Sequence, residues 1–157
     1  MKGNPEVIAS LQGVLSALWS AATEYHLAAR VLKHKDLKCL GHKLKDFGEA
    51  AENAFNSLLT QILFLGGKPT VTTDTVTDDY ASVGDIFERL NVRETALATM
   101  LNESYVACLA VKDADSAHDA KDILHCVEKR MEWLERQLDA ITECGGLTAY
   151  YAAKISE

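Results

Sequence analysis

Residues 61–85, QILFLGGKPTVTTDTVTDDYASVGD, lead from one helical pattern to another through a stretch with no helical period. Ile62 and Leu65 close an apolar stripe, and Gly66-Gly67 followed by Pro69 stops it. Glycine accepts the left-handed turn that ends a helix, and proline cannot continue one. From Thr70 to Ala81 the chain is rich in Thr, Asp and Val and repeats at no regular interval, which marks a connection. Ser82 followed by Asp85 has the pattern of a capping box and opens the next helix. A connection of roughly 15 residues is long for a compact domain and can run the length of a bundle. The helix beyond it can therefore start at the far end.

Before this stretch lie two periodic segments. The first runs from about Pro5 to His34, with Asn4 as cap, Pro5 at the first helical position and Glu6 at the positive end of the dipole. Val7, Leu11, Val14, Leu18, Ala22, Tyr25, Ala29 and Leu32 fall three and four apart. They form one stripe on a helix roughly 40 Å long. A polar link, Lys35 to Lys38, precedes the second segment, from about Cys39 to Leu65, striped by Leu40, Leu44, Phe47, Ala51, Ala54, Leu58 and Ile62. After the connection, a third helix reaches about Val111, with Val83, Ile86, Leu90, Glu94, Leu97, Leu101 and Cys108 inward. Asp113 to Ser116 form a tight link to a fourth helix ending near Cys144, with Ala120, Ile123, Val127, Arg130, Leu134, Leu138 and Ile141 inward. One carboxylate, Glu94, and one guanidinium, Arg130, thus stand on apolar seams. Gly145-Gly146 stops the fourth helix, and Leu147 to Ile155 suits a short fifth.

Short links make helices one and two a hairpin, and helices three and four another. The fold class is all-α. A long crossover between helices two and three makes it the ferritin-like four-helix bundle, here with a short C-terminal fifth helix. A length of 157 residues suits a single domain spanning 1–157, long enough to fold without disulfides or metal. The net charge of -7 argues against a nucleic-acid partner. No apolar run is long enough for a membrane span and no signal-peptide core follows Met1, so a cytoplasmic protein without a membrane partner is expected. Cys39, Cys108, Cys126 and Cys144 are scattered and read as reduced, mostly structural thiols.

The chain resembles bacterioferritin, the haem-containing branch of the ferritins, over nearly its whole length. The likeness rests on Met1-Lys2-Gly3, Tyr25 to Arg30, Ile62-Leu63-Phe64-Leu65 with Gly67 and Pro69, and Trp133-Leu134-Glu135 with Leu138, Asp139 and Ile141. It implies a homodimer, a 24-subunit cage around an iron mineral, a di-iron ferroxidase centre in each bundle and a haem between two methionines at each dimer axis. Such a centre needs a Glu from each of two helices and a Glu-x-x-His pair from each of the other two. No Glu-x-x-His occurs in this chain. At the positions that the resemblance implies stand Leu18, Ala51, Ala54, Glu94, Val127 and Arg130. Only Glu94 remains, a vestigial metal ligand expected to pair with Arg130, because an unpaired buried carboxylate is costly. Tyr25 resembles a tyrosine beside the family's iron centre and is expected to serve as a hydrogen-bonded core side chain; Trp133 also matches the family and is expected to pack.

The haem methionine falls at Glu52, and the chain has only Met1, Met100 and Met131. No resident cofactor is therefore expected beyond the iron mineral of the cage, since a carboxylate is a poor substitute for a thioether as haem ligand. Trp19 and His26 stand where the family lines the haem pocket with smaller or apolar residues. Asp46 and Ala50 replace a histidine and a carboxylate associated with iron passage. His118, His125 and Glu128 read as surface residues of the fourth helix. The leading expectation is a non-catalytic subunit with a structural role in an iron-storage cage, alone or with a ferroxidase-active bacterioferritin subunit. The alternatives are a haem- or metal-binding dimer using His26 and Glu52 across the two-fold interface, and an interaction scaffold outside iron biology.

Overall fold

The computed structural model describes residues 3–157, leaving Met1 and Lys2, part of the resemblance, outside the described residues. Five helices account for the regular structure: α1 (Pro5–His34), α2 (Lys38–Phe64), α3 (Val83–Ala110), α4 (Ala114–Glu143) and α5 (Leu147–Ile155). No strand occurs among the described residues. The fold is the all-α ferritin-like bundle, with residues 65–82 as the crossover. The helix ends differ from expectation by about a residue, and the link between α3 and α4 is shorter than expected. Asp113 does not belong to a four-residue linker. It caps α4 directly, its side chain accepting from Ser116 N at 3.1 Å. Lys112 in the left-handed region (φ 60°) tightens the turn.

Asn4 caps α1, accepting from Glu6 N at 2.9 Å. At α3, Ser82 Oγ accepts from Asp85 N, but Asp85 answers to Ala81 N at 3.0 Å and not to Ser82, so the box closes one residue early. Asp36 (φ 62°) ends α1 as Gly66 (φ 80°) ends α2, each allowing a later amide to reach back to the last turn.

The core divides into two apolar clusters. One gathers Leu11, Leu18, Leu58, Leu97 and Val127; the other gathers Leu32, Leu44, Ile86, Leu90 and Leu134. Glu94, fully buried on α3, lies between Leu90 and Leu97, which belong to different clusters. The bundle middle is therefore polar and its two ends are greasy.

The crossover is held by a rail of polar residues four apart on α1. Gln12 Nε2 donates to Lys68 O at 3.1 Å. Ser16 Oγ accepts from Thr72 N at 3.0 Å, and Ser20 Oγ accepts from Asp74 N at 3.1 Å. Glu24, one turn further, is 1% exposed and meets the arginines of α3. A helix face that repeats every four residues thus guides an irregular segment along its length.

Ser16→Ala combined with Ser20→Ala is expected to lower the unfolding free energy by about 1–3 kcal/mol, since two amides lose their acceptors. Limited proteolysis should cut faster within residues 70–79 than in the parent. Unchanged cutting there would show that the rail does not hold the crossover.

Candidate functional site

Three helices converge on one carboxylate. Glu94 projects from α3 into the bundle with no exposed surface. Arg130 on α4 donates from Nε to Glu94 Oε1 at 2.7 Å and from Nη2 to Oε2 at 3.3 Å. Tyr25 on α1 donates its hydroxyl to the same Oε1 at 2.6 Å. The fork of a guanidinium matches a carboxylate edge, and charge-assisted bonds of this kind are the strong ones. The Arg130 guanidinium also lies 6.0 Å from the centre of the Tyr25 ring.

The electrostatics follow from burial and charge. Burial alone would lower the Arg130 pKa, but the Glu94 charge and hydrogen bonds outweigh it and hold the guanidinium more firmly protonated than usual. Burial, then the neighbouring Glu94 charge, pushes the Tyr25 hydroxyl well above the ordinary tyrosine range, against the opposing pull of Arg130. The phenol therefore stays a donor at neutral pH. Between them the two neighbours use both carboxylate oxygens.

The surrounding positions carry no metal donor. Leu18, Ala51 and Val127 are fully buried, and Ala54 packs half-buried against the same cluster. A di-iron centre needs several carboxylates and imidazoles with open coordination sites. Among the described residues no group of three or more His, Cys, Asp or Glu side chains could hold a metal ion. A guanidinium cannot give up its proton to become a ligand. The residues present at this site do not fit a di-iron centre.

A profile of the ferritin-like domain matches residues 8–144, most of the chain. The chain belongs to the ferritin-like domain family. It is similar to the bacterioferritin of Streptomyces coelicolor, 29% identical over 147 residues that cover 92% of this chain and 87% of that protein. It is also similar to the bacterial ferritin of Pseudomonas aeruginosa, 27% identical over 146 residues covering 92% and 94%. Within this ferritin-like bundle, no helix among the described residues is long and apolar enough to cross a membrane.

The remaining candidate residues lie apart from the central carboxylate. His26 Nε2 sits 2.5 Å from Glu52 Oε1, both side chains being more than a third exposed. The pair joins α1 to α2 within one chain. Trp19 is 38% exposed and packs on Phe55, ring centres 5.0 Å apart. Asp46 and Ala50 are exposed on α2. His118 and His125 are exposed on α4, with His118 3.2 Å from Asp122. The expectation of mostly structural thiols is corrected: Cys39, Cys126 and Cys144 are exposed, and only Cys108 is buried. Cys39 and Cys126 stand exposed on α2 and α4, Cys144 is the C-cap residue of α4, and Cys39 Sγ donates to Glu157 O at 3.2 Å. Burial, then the charges of Asp113 and Asp119, raises the Cys108 pKa to about 11.

One cluster escaped the sequence reading. Glu24 is buried against Arg93, whose Nε lies 3.3 Å from Glu24 Oε1, and near Arg89. Arg93 also holds Asp74 at 3.1 Å and Arg89 holds Asp79 at 2.9 Å, both from the crossover. The signal was present as Gln12, Ser16, Ser20 and Glu24, a polar stripe at helical spacing beside the apolar one.

Arg130→Ala is expected to cost about 3–5 kcal/mol in urea unfolding, because it strands a buried carboxylate. The combination Tyr25→Phe, Glu94→Leu and Arg130→Met should recover stability to within about 1.5 kcal/mol of the parent, since it removes all the polar partners and keeps the volume. Parent-like stability of Arg130→Ala alone would show that the pair does not neutralise Glu94.

Proposed function

We propose that this chain is a non-catalytic, bacterioferritin-like subunit with a structural role in an iron-storage cage, assembling with a ferroxidase-active sister subunit that carries the missing ligands. In this reading residues 1–157 form one domain, the assembly is the dimer-based 24-mer and the setting is cytoplasmic. Iron is its cargo, held as mineral by the assembly. No resident metal or haem is assigned to the chain.

The observation that carries this reading is the occupation of the Glu94 carboxylate by Arg130 and Tyr25. The resemblance places a metal ligand at Glu94, and here the same oxygen edge faces a permanent cation. A cation a few ångströms from a would-be Fe(II) opposes its binding. Leu18, Ala51, Ala54 and Val127 offer only carbon where donors would be needed. Two observations support an assembling shell. The likeness to bacterioferritin and bacterial ferritin covers 92% of the chain. Leu63 and Phe64 near the end of α2 are more than half exposed, an apolar surface that subunit contact would cover.

His26 and Glu52 engage one another within the protomer, which supports a structural use over ligation across the two-fold axis. Handing them to haem or metal would first break that contact.

The purified chain, free of other subunits, is expected to consume Fe(II) no faster than buffer. None of Ala51→Glu, Ala54→His, Val127→Glu or Arg130→His alone should change this. Native mass spectrometry of the complex from its source cells should find a second, ferroxidase-competent subunit. Rapid iron oxidation by the lone chain would refute the non-catalytic role, and a complex without such a subunit would refute the mixed cage.

A further inference from the structure

The end of α1 concentrates positive charge that the proposed role leaves unused. Residues 30–38 hold Arg30, Lys33, Lys35 and Lys38 against the single carboxylate of Asp36, in a chain whose net charge is -7. Of the chain's arginines, Arg89, Arg93, Arg130 and Arg136 are in ion pairs. Arg30 is in none among the described residues, and neither are His34 and Lys35. All three are exposed. They are not needed to finish the helix. The last carbonyls of α1, on Val31, Leu32 and Lys33, accept from the amides of Lys35, Asp36 and Leu37, so no basic side chain has to cap them. Like charges left unmatched on one surface repel each other and raise the local concentration of anions.

Arg30, His34 and Lys35 border one cleft of about 500 Å³, with Asp78 and Ser82 also lining it. The neighbouring acids are engaged elsewhere: Asp79 is held by Arg89 at 2.9 Å, and Asp85 Oδ2 accepts from Ala81 N at 3.0 Å. Asp78 is the one carboxylate that lines the cleft. Ser82 Oγ accepts from Asp85 N at 3.1 Å, which leaves its hydroxyl hydrogen for an acceptor in the cleft. Three basic side chains against one carboxylate exclude a metal cation. A guanidinium fork, an imidazole N–H, an ammonium and a hydroxyl offer more donors than the two oxygens of a carboxylate can use, and they suit the oxygens of a phosphate. The volume leaves room for a small body attached to it. We propose that this cleft binds a phosphate dianion, free or as the head of a small monoester, with Arg30 as its main anchor and His34, Lys35 and Ser82 donating beside it. The inference does not depend on the absence of ferroxidase activity, because the cleft lies at the end of α1 and the paired Glu94 in the middle of the bundle.

The test is calorimetric titration of the full chain, in its own assembly and in phosphate-free buffer at neutral pH, with inorganic phosphate and with phenyl phosphate. Sodium benzoate at matched ionic strength serves as the singly charged carboxylate. Saturable binding of the phosphates is expected, with benzoate weaker by about tenfold or more, the change produced by one charge-assisted hydrogen bond. Arg30→Ala should weaken both phosphates by a similar factor. Asp78→Asn should tighten both, because it removes the carboxylate that opposes them, a gain that a merely structural role would not give. Lys121→Ala removes the same charge near the start of α4, at the opposite end of the bundle, and should bind like the parent. Phenyl phosphate binding more tightly than inorganic phosphate assigns the site to a monoester, and binding no more tightly assigns it to the free ion; either result supports the site. Should Arg30→Ala fail to fold by circular dichroism, Asp78→Asn decides. The proposal is overturned if neither phosphate binds saturably or if benzoate binds as tightly. It is equally overturned if folded Arg30→Ala binds like the parent, if Asp78→Asn gives no gain, or if Lys121→Ala weakens binding as much as Arg30→Ala does.

Discussion

A carboxylate with no exposed surface has to be neutralised where it lies, and in this bundle Arg130 does that for Glu94. The rest of the centre follows from that bond. The guanidinium can be buried only because the carboxylate is there, and the carboxylate can remain only because of the guanidinium. Tyr25 reaches Oε1 from the third side and finds the acceptor that a buried hydroxyl requires. The neighbouring positions are then free to be hydrocarbon. Leu18 and Val127 join the apolar cluster at one end and Leu90 and Leu134 the one at the other, so packing continues past the polar group. The carboxylate at the middle of the bundle is balanced by the chain's own side chains.

A second set of charges holds the outside of the bundle. The crossover lies along α1 by hydrogen bonds at Gln12, Ser16 and Ser20, and at Glu24 it is fastened ionically through Arg89 and Arg93. Tyr80 adds its ring to Arg89, and burial, together with the Glu24 charge, raises its hydroxyl to about 12 against the pull of the arginines. A long irregular segment loses much conformational freedom on folding, and a four-residue polar stripe supplies the compensating bonds. The two charged groups differ in completeness: Glu94 has all its oxygens engaged, whereas Glu24 keeps one without a donor.

Much of the architecture is legible in hydrophobic spacing. The inward positions of α1 and α3, from Val7 to Leu32 and from Val83 to Cys108, are all buried, because one face of a long amphipathic helix has nowhere else to go. The stops at Gly66 and Gly145 are legible because few residues take a positive φ. The turns at Asp36 and Lys112 are less so: aspartate enters the left-handed region more readily than lysine, but neither announces a turn as glycine does. Glu94 and Arg130 stand out in sequence as charges on apolar seams. Glu24 does not, because it neighbours Tyr25 at the edge of the stripe and is buried by the crossover, an irregular element whose path no periodicity encodes. The thiols mislead for the opposite reason: a cysteine gives no sign in sequence of which arc of its helix it occupies unless the stripe is placed within about one residue.

The most direct measurement is anomalous diffraction at the iron edge from crystals of the homomeric protein grown aerobically with ferrous iron. The account predicts no anomalous peak inside the four-helix bundle, with the Arg130 guanidinium forked onto Glu94 and the Tyr25 hydroxyl on the same carboxylate. Two peaks beside Glu94, with Arg130 swung away, would contradict it.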